Sequence, residues 1–222
     1  MTRLAVADGD EWAGLVAYLE RLVSLDARGA VRLQAAGPVL GVWGGPPLDV
    51  VTLRPVALAD RLDDGLDVTV SARRLLDRLK EGEGDLATVV PDMVAGPAWA
   101  GLLPPRAGWQ PLAEVPAAAV NDAVRVAVDS FRRRIDLLPE SQRSLVAMEQ
   151  VAAEIWGHPV VAGVPLRAAH AAVLTGLLGR DGAVGAFGAG PWLRLACPGG
   201  SSAVRRDAGR LGVDLGVWAL TR

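Results

Sequence analysis

The stretch Cys197-Pro-Gly-Gly-Ser-Ser-Ala-Val-Arg-Arg-Asp207 gathers the residue types from which an anion site or a nucleophile turn is built. Gly199 and Gly200 free the backbone, Ser201 and Ser202 supply hydroxyls, and Arg205 and Arg206 supply charge. If a helix opens here, its unpaired N–H groups and dipole favour an anion. The ligand would then be a phosphorylated small molecule, and the protein an enzyme or sensor. The spacing is not that of a phosphate loop, because the Gly-x4-Gly-Lys pattern and its lysine are absent. A nucleophile elbow fares no better: the run departs from G-x-S-x-G, and His158 and His170 both precede the serines. The favoured reading is a glycine turn joining two strands.

Other candidate groups give no reactive constellation. Five glycines in 179–190 do not fall as G-x-G-x-x-G between a strand and a helix, so hairpin turns explain them better than a dinucleotide. His158 sits at a helix end and His170 in an apolar helix, without a neighbouring carboxylate motif, which reads as structural. Asp60, Asp63, Asp64 and Asp67 lack the spacing of a calcium loop and read as a solvated turn. Cys197 is the single cysteine, which excludes an internal disulfide and a cysteine-rich metal site. The expectation is no catalytic residue, no metal and no cofactor.

Two surface features remain. Arg132, Arg133 and Arg134 form a basic patch, although Asp129 and Asp136 stand at ion-pairing distance along the same helix. Seven tryptophans outnumber two phenylalanines and one tyrosine, and several lie beside Gly or Pro. Indoles in such loops are enriched at binding hot spots, so Trp43, Trp99 and Trp109 are the expected partner-facing residues.

Composition sets the frame. The 222-residue chain is 51% apolar, with 23 basic against 25 acidic residues, which is not the footprint of a protein that coats nucleic acid. Lys80 is its only lysine, a composition that resembles products of high-GC genomes such as those of actinobacteria. Arginine clusters must therefore be discounted for codon supply. Residues 35–48 and 93–105 are apolar but too short and proline-broken for a membrane span. The acidic start lacks an apolar signal region, so the expected compartment is the cytoplasm.

Periodicity then places the elements. Trp12, Leu15, Val16, Leu19, Leu22 and Val23 make a helical stripe, followed by short strands over 30–36, 39–43 and 48–55 and a fourth after Asp64-Gly65. Ser71 caps a helix ending at Gly82, and an apolar connector, 82–109, is expected to lie on the fold. Helices are expected from Pro116, over 140–156 and from Pro165 to Gly179, then a hairpin turning near Gly188–Pro191 and a last strand, 212–220. A valine, then Ser or Pro, then an apolar helix recurs at Val70–Ser71, Val115–Pro116 and Val164–Pro165.

The pattern predicts an α+β chain. An antiparallel sheet flanked by helices occupies residues 1–106, and a helix-rich half, 107–222, ends in the hairpin and last strand, the two halves forming two domains or one. Taken as strand–helix–strands–helix, the first half is similar to half of a DNA sliding clamp, and this resemblance implies nucleic-acid binding as a further alternative. The leading expectation is a non-catalytic interaction or regulatory module that meets a protein partner, or a second copy of itself, through Trp-bearing loops. Nucleic acid is not favoured and no membrane is implied.

Overall fold

The computed structural model describes residues 2–142 and 144–206. The chain is α+β and divides into two compact units, the first made of residues up to Pro46 with Val51–Leu103, the second of Pro47–Val50 with the chain from Pro104 onward.

In the first unit, β1 (Arg3–Ala5) leads into α1 (Gly9–Leu25), whose N-terminus is capped by the Asp8 carboxylate accepting from the Glu11 amide at 2.9 Å. The expected stripe is the buried face: Trp12, Leu15, Leu19, Leu22 and Val23, joined by Tyr18. Tyr18 and Thr52 hydroxyls hydrogen-bond at 2.8 Å inside this core, and Thr52 donates on to the Gly44 carbonyl at 3.2 Å. A buried phenol is thereby satisfied, and burial raises its pKa.

The four expected strands are two. β2 (Ala30–Gly44) and β3 (Val51–Ser71) pair antiparallel, with register shifts between Ala35 and Gly37 and between Gly37 and Val39. Gly37 takes φ +63°. Glycine with the following proline therefore makes a bulge inside a continuous strand, where the sequence suggested a turn. Val31 and Leu33 are fully buried while Arg32 and Gln34 alternate onto the other face. Ser71 ends β3 and caps α2 (Ala72–Glu81), accepting from the Arg74 amide at 3.4 Å. The connector does lie on the fold: β4 (Ala87–Val89) pairs with β1, and residues 98–101 form a 3₁₀ turn.

A polar chain fastens that turn to the hairpin. Trp43 Nε1 donates to Gln34 Oε1 at 3.1 Å, and Gln34 Nε2 donates to Asp67 at 3.0 Å. Arg32 donates to both Asp67 oxygens, at 2.6 and 2.8 Å, and also to the Ala100 carbonyl. Asp67→Ala removes the acceptor at the centre of this chain. The expected cost in urea unfolding is about 1 kcal/mol, with faster hydrogen exchange at the Ala100 and Leu102 amides.

In the second unit, β5 (Gln110–Pro116), β8 (Ala183–Ala189), β9 (Trp192–Cys197) and β10 (Gly200–Arg205) form antiparallel neighbours in the order β10-β9-β8-β5. β5 is the outer strand and is largely exposed. Three helices belong with this sheet: α3 (Ala117–Leu137), α4 (Leu145–Gly157) and α5 (Leu166–Leu174). A two-stranded ribbon, β6 (Pro159–Val161) with β7 (Val164–Pro165), joins the last two.

Two helices are shorter than the sequence suggested. α4 begins at Leu145 because Ser144 caps it, accepting from the Ala147 amide at 3.2 Å. α5 ends at Leu174, where the Thr175 hydroxyl donates to the Ala171 carbonyl at 2.6 Å and Gly176 turns left-handed at φ +75°. The expected strand over 212–220 lies outside the described residues. Among the described residues no helix is long and apolar enough to cross a membrane.

Candidate functional site: an arginine-lined cavity

The first turn of α5 is fixed by its neighbours. Pro165 stands at its N-cap, and the Leu166 amide donates to the His158 carbonyl at 2.8 Å. Arg167 follows. Ala168, Ala169, Ala171 and Ala172 are all fully buried, and the Ser202 hydroxyl of β10 donates to the Ala168 carbonyl at 2.8 Å. This close seat brings Arg167 to the same end of the hairpin as Arg205 and Arg206. Arg205 stands opposite Trp192 in the ladder, and the Arg206 amide donates to the Pro191 carbonyl at 2.7 Å.

The three arginines border a cavity of about 440 Å³. The buried Leu193 and Val204 form part of its wall, and Gly157 of α4 with Ala162 and Gly163 of the ribbon turn complete its rim. None of the three guanidiniums closes an ion pair among the described residues, and the buried Nε atoms of Arg167 and Arg205 have no hydrogen-bond partner. Burial pulls the Arg167 guanidinium down from its usual range, and the negative charge of Asp49 partly restores it. The described lining holds no histidine, cysteine, serine or carboxylate. The side chains it offers are cationic and apolar.

The sequence-predicted residues are distributed as follows. Residues 199–202 open no helix, because Gly200–Arg205 is a strand. The Gly199 amide donates to the Leu177 carbonyl at 2.9 Å, Ser201 is buried, and the Ser202 hydroxyl is engaged by Ala168. An anion held on the N–H groups of a helix N-terminus thus has no counterpart at Gly199, Gly200, Ser201 and Ser202. Arg205 and Arg206 are set apart from them at the far end of the strand. Sequence reasoning missed Arg167, which lies 38 positions before Arg205. The signal available was Val164–Pro165, which puts residue 167 in a first helical turn.

Trp43, Trp99 and Trp109 are each half-buried. Trp43 and Trp99 lie in the first unit, the latter with its indole against Gly45, where a Cβ would collide with it. Trp109, in the second unit, donates to the Pro105 carbonyl at 2.9 Å and stacks under the Arg194 guanidinium at 4.3 Å. Arg132, Arg133 and Arg134 are exposed on α3, and Arg134 pairs with Glu154 at 2.6 Å. The ion pair expected between Asp129 and Arg133 does not form among the described residues.

His170 departs from the expectation of a satisfied core histidine. It is buried, stacked on Trp156 with ring centroids 4.3 Å apart, and its Nδ1 has no partner. Burial lowers its pKa from 6.5 to about 4.

Residues 1–101 match the family described as Domain of unknown function (DUF8010), and residues 104–209 match Domain of unknown function (DUF8185). The two matches meet where the structure divides, at Leu103–Pro104. No protein of curated function matches the chain. Among solved structures, DNA polymerase III subunit beta from Borrelia burgdorferi superposes with a TM-score of 0.55 at 10% identity, over 92% of this chain and 64% of that one. The DNA polymerase sliding clamp from Pseudomonas aeruginosa gives 0.50 at 15% identity, over 92% and 64%. The fold is that of the sliding clamps. A further example, the Helicobacter pylori beta clamp bound to a DNA ligase peptide, gives 0.50 at 11% identity over 92% and 66%. The chain thus spans under two thirds of the clamps' length.

The depressed His170 pKa has a thermodynamic consequence. The unfolded chain binds this proton more readily, so the stability conferred by a neutral His170 is fully present above pH 6.5 and is lost as pH falls toward 4. Urea unfolding at pH 7 and pH 4.5 is expected to show about 2–3 kcal/mol more acid loss in the parent than in His170→Phe, which keeps a ring against Trp156.

Proposed function

We propose that the chain is a non-catalytic docking module that recognises a protein partner, seating a short segment of it in the cavity bounded by Arg167, Arg205 and Arg206. The cavity carries this reading. Its volume, about 440 Å³, falls in the range of ligand sites, and among the described residues its lining combines apolar groups with unpaired donors and holds no group suited to proton transfer or nucleophilic attack. The Helicobacter pylori clamp, of the same fold, was crystallised with a peptide of another protein. Trp43, Trp99 and Trp109 are held by in-chain contacts, so the reading rests on the cavity and not on them.

Gly157 offers a clean test. It lies on the rim at the last position of α4, and a Cβ built there meets nothing within 4 Å. Gly157→Trp should therefore fill the mouth without straining the fold. Selection of a random displayed peptide library on the full chain should enrich binders, and Gly157→Trp, with unchanged thermal unfolding, should weaken them by at least about tenfold. Absence of enrichment, or binders indifferent to the substitution, would refute the reading.

A further inference from the structure

We infer that the cavity selects an acidic peptide segment, whose carboxylates reach Arg167, Arg205 and Arg206. This rests on the docking reading above and specifies its ligand.

The first argument is charge. Of the half-buried arginines elsewhere in the described chain, Arg32 is matched by Asp67 at 2.6 Å and Arg54 by Glu11 at 3.3 Å, while Arg194 lies over the Trp109 ring at 4.3 Å. Arg167, Arg205 and Arg206, brought from α5 and from the end of β10, all line this one cavity, and no carboxylate among the described residues pairs with any of them. Codon supply explains why these residues are arginine and not lysine; it does not explain why they meet unpaired. Like charges brought together at a partly desolvated site repel until an anion arrives. A chain of net charge −2 concentrates positive charge here against its overall balance.

The second argument is shape. A free phosphate would engage the guanidiniums but fill little of a cavity of about 440 Å³. An acidic peptide segment brings both the bulk to fill it and carboxylates, which Arg forks match in bidentate geometry.

The chain itself supplies a third pointer. Asp49, held left-handed at φ +51°, lies within electrostatic reach of Arg167 but forms no ion pair with it among the described residues. It is an in-chain carboxylate against which an incoming one must compete. Asn is among the side chains that tolerate this backbone conformation, so Asp49→Asn removes the competitor with little strain.

The experiment takes the tightest peptide from the library selection and a twin in which every Asp and Glu is replaced by Asn and Gln, labels both, and measures anisotropy on the full chain. The acidic peptide is expected to bind at least about tenfold more tightly, and added salt should narrow the gap. Arg167→Gln and the exposed Arg206→Gln should each weaken the acidic peptide about fivefold, leave the twin within about twofold, and leave thermal unfolding unchanged. Asp49→Asn should tighten the acidic peptide only. If the selected peptides carry no acidic residue, or the twins bind equally, the acidic assignment falls while the docking reading stands. If no peptide is enriched, the docking reading itself has failed. Displacement of the bound peptide by inorganic phosphate or by a single-stranded DNA oligonucleotide at equal anion concentration would overturn the peptide assignment in favour of phosphate.

Discussion

Four alanines on one face of α5 set the geometry of the second unit. With only methyl groups at 168, 169, 171 and 172, all fully buried, the helix comes close enough to the β9–β10 hairpin for the Ser202 hydroxyl to reach a helix carbonyl. Gly199 extends the same constraint, since a Cβ there would stand 3.0 Å from the Leu177 carbonyl oxygen. Larger side chains at these places would force the helix away, because packed interiors absorb added volume poorly. The close seat is what puts Arg167 at the end of the hairpin beside Arg205 and Arg206. The arginine lining of the cavity thus follows from backbone proximity some residues away.

Arginine plays two different parts in this molecule, and pairing tells them apart. Arg32 is a structural fastener: one guanidinium spans Asp67 and the Ala100 carbonyl, tying the connector to the β2–β3 hairpin and holding Trp99 near Gly45. Arg194 is covered by Trp109 and lies 5.1 Å from the Phe187 ring. Both guanidiniums are engaged by other side chains of the chain. The arginines of the cavity are not, and a guanidinium left without an internal partner is available to an external one.

Much of the fold was legible because its signals were local. The stripe on α1, the alternation of Val31 and Leu33 with Arg32 and Gln34, and the Gly-Pro hairpin turn at 190–191 each depend on residues close in sequence. The recurring valine followed by Ser71, Pro116 or Pro165 marks a strand giving way to α2, α3 or α5 in every case. Gly37-Pro38 has the composition of a turn, but pairing of Gly37 with Leu62 and of Val39 with Ala57 carries the strand through it as a bulge. The short β1–β4 pair was invisible because three residues have no period to detect. Arg205 and Arg206 stood out in the sequence, but the partners proposed for them, Gly199 to Ser202, were sequence neighbours. The partner that matters, Arg167, arrives through helix packing that no local pattern encodes.

The outer position of β5 has a consequence for how the protein behaves at high concentration. An unshielded sheet margin is a template on which stray strands can grow into aggregates. Two of its seven positions, 111 and 116, are prolines and offer no N–H, and Glu114 adds a charge between them. The row of donors is therefore interrupted along the one margin that most needs protection, so the second unit can expose a strand without inviting polymerisation.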